Sequence, residues 1–158
     1  MNTIKVSICA TLLALGLGAA GASAAYLRFP GTVCVPRAND STVTLFSKSG
    51  ISNTSTTASL TVECGGPRVS SGRNVSAVQV RVADRTPTAG DLCCTARVED
   101  KGGVIIQSSP QRCAVAGTAL QTLSLDVNAA GMLNVLCSIP KADPTNGGSW
   151  VASYGYSN

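Results

Sequence analysis

Histidine is absent from the 158 residues. No imidazole can therefore act as a general base or hold a metal. Aromatic residues are scarce: one Trp, three Tyr and two Phe serve the whole chain. Charged residues make up only 13% and form no run. The arginines lie scattered from Arg28 to Arg112, which argues against a surface that tracks nucleic acid or an anionic membrane. Cys-x-x-Cys spacing is missing, so with histidine gone a zinc site lacks its usual ligand set. A Gly-x-Ser-x-Gly elbow, a Walker loop and a dinucleotide fingerprint are missing too.

One apolar run exists, at the start. Met1–Lys5 is a short n-region, Val6 to Ala20 is apolar or small, and Ala22-Ser23-Ala24 fits the small-residue cleavage rule. The run is too short to span a bilayer comfortably. It reads as a signal peptide over 1–24, with a mature domain over 25–158 that is secreted, or periplasmic or cell-surface in a bacterium. Cys9 lies within the apolar region, away from the cleavage site, and leaves with the signal. Cleavage leaves 134 of the 158 residues and removes Lys5, which lowers the net charge from +4 to +3. That length suits one domain with a real core.

Six cysteines stay in the mature chain: Cys34, Cys64, Cys93, Cys94, Cys113 and Cys137. An even count in a small exported domain predicts three disulfides, with 15 pairings open.

Ser, Thr, Val, Ala and Gly are abundant, and short alternating runs recur with turn residues between them. This pattern predicts an all-β fold, a single antiparallel β-sandwich of about eight to ten strands. The central strand runs from Asp91 to Glu99. Leu92, Cys94, Ala96 and Val98 share its inner face, and Cys93 points the other way. Val78, Val80 and Val82 mark another strand. Ala58 to Cys64 ends at Gly65-Gly66-Pro67, and Ser49 to Asn53 reads as a turn. The runs 119–127 and 133–139 read as a hairpin. Tyr26 to Val35 reads as an edge strand broken at Pro30-Gly31. The last strand, Ser149 to Tyr156, carries Trp150, Tyr154 and Tyr156 on one face.

Asp100-Lys101-Gly102-Gly103 closes a hairpin onto Val104 to Gln107. Pairing Glu99 with Val104 puts Cys93 opposite Pro110, close to Cys113, so Cys93–Cys113 is the first expected bridge. For the other four cysteines, Cys94–Cys137 with Cys34–Cys64 is preferred. Cys64–Cys137 with Cys34–Cys94 is the alternative.

The remaining catalytic chemistry is carboxylate chemistry. Asp84 and Asp91 flank one turn and Glu99 and Asp100 sit at the next, while Asp40, Glu63, Asp126 and Asp143 are spread along the chain. Turn acids are usually solvated, and nothing in the pattern shows two carboxylates across a cleft, as a glycosidase needs. No catalytic residue, metal ligand or cofactor is assigned. The face Trp150, Tyr154, Tyr156 is the candidate ligand surface, suited to stacking on sugars, against the plainer reading that these rings cap the core. Asn39, Asn53 and Asn74 each open a sequon, which predicts glycosylated loops if the source is eukaryotic. The strand at the mature N-terminus is also a candidate for donation to another subunit's sheet.

Several short motifs span most of the mature chain: Gly31-x-x-Cys34-x-Pro36, Gly50-Ile51-x-Asn53-x-Ser55, Val62-x-Cys64, Val80-x-Val82-x-Asp84, Cys94, and Leu136-Cys137-x-Ile139-Pro140. In these the chain resembles a group of small exported, cysteine-containing all-β bacterial proteins of unknown function. The resemblance implies a four-cysteine core of Cys34, Cys64, Cys94 and Cys137, with Cys93 and Cys113 as an added pair. A proline commonly follows the second cysteine in that group, whereas here Gly65-Gly66 intervenes before Pro67. No functional residue transfers from it.

The expected function is non-enzymatic: a structural or interaction role, with self-assembly as one form of it. A carbohydrate-binding module using the last-strand aromatics is the second reading, and a secreted inhibitor or effector the third. The partners are then a protein, another copy or a glycan, without nucleic acid, and without a membrane after signal cleavage.

Overall fold

The computed structural model describes residues 26–37, 44–47, 50–68, 73–87, 91–117 and 119–158. The expected signal segment 1–24 and the sequon at Asn39 lie outside the described residues. Twelve strands are described: β1 (Tyr26–Pro30), β2 (Val35–Pro36), β3 (Thr44–Ser47), β4 (Gly50–Asn53), β5 (Leu60–Arg68), β6 (Ser76–Ala83), β7 (Cys93–Glu99), β8 (Ile105–Ser108), β9 (Arg112–Cys113), β10 (Gln121–Leu125), β11 (Met132–Ile139) and β12 (Trp150–Ser157). A single 3-10 turn, Gly31–Val33, separates β1 from β2. Two of the strands, β2 and β9, are two residues long.

The strands form two antiparallel sheets packed as a sandwich. One runs β10-β6-β12-β4-β3, with β1 also on β12; the other runs β2-β5-β11-β7-β8, with β9 also on β7. Alternation along each strand sends every second side chain into the space between the sheets. From the first sheet come Val78, Val80, Val82, Leu123, Leu125 and Val151; from the second come Leu60, Val62, Ala96, Val98, Leu133, Val135 and Ile139. Gly31 and Gly50 let the backbone close on β12, since a Cβ at either would run into the carbonyl oxygen of Val151. Gly50 also has φ +124°, a value side chains rarely adopt.

The bridges are Cys34–Cys64, Cys93–Cys113 and Cys94–Cys137. Cys137 pairs with Cys94 across β11 and β7, and Cys93 pairs with Cys113 across β7 and β9. Cys34 follows the same logic, one step beyond the Val35–Glu63 pair of β2 and β5. Cys93, expected to face out or toward a loop, is only 8% exposed.

Four local expectations are corrected. Residues 50–53 form β4 rather than a turn. β5 continues through Gly65-Gly66-Pro67 to Arg68 instead of stopping there. The runs around β10 and β11 are not a hairpin: β10 pairs with β6 and β11 with β5 and β7, so the chain crosses between sheets at 126–131. Both runs still point apolar side chains inward, because the two sheets face each other. The hairpin from β7 to β8 has Glu99 opposite Ile105, not Val104, with an irregularity between Val98 and Glu99. Further slippage around Pro110 puts Cys113, rather than Pro110, opposite Cys93.

Candidate functional site

Three connections meet at one end of the sandwich: 54–59 after β4, the described residues 84–87 and 91–92 between β6 and β7, and 140–149 between β11 and β12. Two buried polar side chains hold them. Asn53, 0% exposed, ends β4. Its Nδ2 donates to the carbonyls of Ala58 at 2.8 Å and Pro140 at 3.0 Å, and its Oδ1 accepts from Ser55 N at 2.9 Å. Asp84, also fully buried, follows β6. Its Oδ1 accepts from Thr86 N, the Thr86 hydroxyl and the Ser149 hydroxyl, and its Oδ2 accepts from Leu92 N. Asn53 therefore ties the first loop to the third, and Asp84 ties the second to the third. Burying a carboxylate is costly unless its lone pairs are occupied, and four donors meet that need here.

Over these hubs lies an open cleft of about 420 Å³. Thr56 and Ser59 line it from the first loop, Thr86, Pro87 and Asp91 from the second, and Pro140 to Pro144 from the third. Asp91 and Lys141 are exposed, and neither has an ion-pair partner among the described residues. Asp143 shapes its own turn: its Oδ1 accepts from Thr145 N and Asn146 N, and its backbone pairs with Gly147. Among the described residues no three His, Cys, Asp or Glu side chains cluster as metal ligands.

Arg85 braces that turn from behind. Its guanidinium carbon stands 4.5 Å from the centre of the Trp150 ring, and its Nη1 donates to the Asn146 carbonyl at 3.2 Å. Its Nε is buried without a hydrogen-bond partner among the described residues, so the stack over the indole offsets part of that desolvation.

The three aromatics read as one face do not share one. A register irregularity between Val151 and Ser153 breaks the alternation of β12. Val151, Tyr154 and Tyr156 belong to the core, while Trp150 is half-buried outside it beside Arg85. Tyr154 and Tyr156 are each 1% exposed. The Tyr154 hydroxyl crosses the sandwich to donate to Gly65 O at 2.6 Å, and Phe29 of β1 stacks on both rings. Burial pushes the Tyr154 phenol up to about 12, with Tyr156 adding to the rise, and burial raises Tyr156 as well. The sequon at Asn53 is likewise buried, whereas Asn74 is exposed and donates to Asn128 Oδ1.

The sequence marks Asn53 as a sequon and Asp84 as a turn acid, and both fall within the short motifs, but neither is marked there as a buried hub. Each, however, closes an alternating strand and has Ser or Thr two positions on, the arrangement in which an Asx side chain accepts from the i+2 amide.

No protein-family model matches the chain, and no curated protein matches it in sequence. Among solved structures, similarity in outline extends to a family two carbohydrate esterase from Cellvibrio japonicus, at 10% identity and a TM-score of 0.49. It covers 86% of this chain but 34% of the esterase. A family 35 carbohydrate binding module from Clostridium thermocellum gives 15% identity and a TM-score of 0.46, over 84% of this chain and 98% of the module. The module CBM36, solved with calcium and xylotriose, gives 16% identity and a TM-score of 0.37, over 82% and 98%.

Proposed function

We propose that the protein is a non-catalytic carbohydrate-binding β-sandwich, and that the loop-end cleft, not the last-strand aromatics, takes the sugar. The observation that carries this reading is the chemistry of the cleft wall. A carboxylate, Asp91, and an ammonium group, Lys141, reach it without ion-pair partners among the described residues, beside the hydroxyl-bearing Thr56 and Ser59 and the rings of Pro87, Pro140 and Pro144. Sugar hydroxyls both donate and accept, so they match a wall that carries both a carboxylate and an ammonium group. Proline rings offer apolar surface to the C–H faces. A concave site with a few convergent polar groups is the usual form of a small-ligand pocket. Binding is favoured over turnover because Asp143, the second carboxylate of the lining, has its Oδ1 tied to the amides of Thr145 and Asn146, whereas glycoside hydrolysis generally needs two carboxylates placed across the bond. Three disulfides fit an exported protein in an oxidising compartment.

The test is a glycan array with the mature protein, followed by calorimetric titration of the best binder. Asp91→Ala and Lys141→Ala should each weaken binding about tenfold, in line with a hydrogen bond to a charged group, with the melting temperature unchanged. Absence of any glycan binding, or binding by both variants as tight as that of the wild type, overturns the reading.

A further inference from the structure

Nine large hydrophobic side chains are exposed among the described residues, at 38 to 67%, and none lies on an outer sheet face away from the edges. Five are at one lateral edge. Val104 precedes β8, Ile105 and Ile106 are in it, Val115 follows β9 and Leu120 precedes β10. These strands stack on one side, because β10 of one sheet lies over β7 and β9 of the other. Four are at the opposite edge: Tyr26 and Leu27 in β1, Val33 in the 3-10 turn and Val35 in β2. The 3-10 turn touches β12, β4 and β5, so these elements also share a side.

From this two-edge arrangement we infer that the protein associates head to tail with copies of itself, the β8–β9–β10 edge of one copy seating on the β1–β2 edge of the next. Edge strands with unpaired backbone groups invite pairing, and natural sandwiches guard them with charge, proline or bulges. Prolines do interrupt these edges: Pro110 parts β8 from β9, and Pro36 ends β2. Yet β8 carries no charge at all, and it presents two branched apolar residues in succession. One foreign partner would need only one such edge. Apolar edges on opposite sides suit a contact that repeats, and a contact between different surfaces leaves an edge open at each end. The cleft is built from the loops at the end of the sandwich and stays outside this contact, so the proposal stands apart from the glycan reading.

Sedimentation velocity of the mature, unreduced protein over a concentration series is the experiment. The expected result is a ladder of species at whole multiples of the subunit mass. Two edge variants then separate the geometries. Ile105→Lys/Ile106→Lys blocks one edge and Leu27→Lys/Val35→Lys blocks the other. All four sites are exposed, and unchanged melting curves confirm folding. Each variant alone should remain monomeric, and their mixture should stop at a one-to-one heterodimer. A wild-type monomer at every concentration overturns the inference. So does self-dimerisation of either variant alone, since that would mean an edge pairs with its own kind.

Discussion

The Ser149 hydroxyl donates to Asp84 Oδ1 at 3.0 Å across 65 residues of chain. The contact fastens the loop after β6 to the loop before β12, and so fixes two of the three walls of the cleft. Asp84→Asn tests its weight. Both Asp84 oxygens accept from donors. Whichever way the new amide is placed, its NH2 must face an N–H or O–H donor. An orphaned buried donor costs roughly 1–3 kcal/mol. The variant should therefore unfold at lower denaturant, with stability reduced by about 2 kcal/mol. Urea titration of both proteins measures it, and an unchanged midpoint would mean that the loops hold without the carboxylate.

Most of the framework is legible in the sequence, for a physical reason. Alternation of period two marks which side chains face inward, and it placed Val78, Val80, Val82, Cys94, Ala96 and Val98 on inner faces, where they are buried. Partner choice was less legible. Alternation says that Leu123 and Leu133 point inward, but not that they reach the core from opposite sheets. Bulges are harder still. The irregularity after Val151 separates Trp150 from Tyr154, and nothing in Trp-Val-Ala-Ser-Tyr announces it. The cleft escaped notice because its hubs are single Asx residues at strand ends, and its lining comes from loops with no period to read.

The disulfides should differ in weight. Cys94–Cys137 closes a separation of 43 residues within the core, whereas Cys93–Cys113 closes 20 at the sheet edge. Chain entropy assigns them about 4 and about 3 kcal/mol. Replacing the pair at 94 and 137 by alanine also leaves a void in a packed interior. Paired replacement of Cys94 and Cys137 should lower the melting temperature more than paired replacement of Cys93 and Cys113. Differential scanning calorimetry of the two variants checks the order, and the reverse order would place the edge staple ahead of the core bridge.

Alkali should unfold the protein through Tyr154. Its phenol ionises near 10 in an unfolded chain and is pushed up to about 12 in the fold. A raised folded value means that the neutral form is favoured by folding. Stability from this group is therefore complete below pH 10, falls as pH rises above 10, and has been lost once pH passes about 12. Phenolate absorbance should rise together with the loss of β-sheet circular dichroism. Tyr154→Phe removes the ionisation along with the bond to Gly65 O. It should start less stable at pH 7 and show a shallower alkaline decline. An equally steep decline in the variant would assign the effect to other groups.

Arg85 and Trp150 give the last prediction, because they act on the cleft without lining it. The guanidinium lies against the indole ring and donates to the Asn146 carbonyl, next to the turn that Asp143 organises. Arg85→Met keeps much of the aliphatic bulk but loses the charge on the ring and the bond to the turn. A cation–π contact at a partly exposed site is worth about 0.5–1 kcal/mol, so global stability should change little. The 143–147 turn, with one of its ties gone, should hold Lys141 and Asp143 less firmly. Glycan affinity should then fall several-fold while the melting temperature moves by only a few degrees, as expected for losses near 1 kcal/mol. Trp150 emission reports on the same event, since the indole loses its cationic neighbour. Unaltered affinity together with altered emission would show that the turn keeps its shape without Arg85, and that the stack serves the outer sheet surface alone.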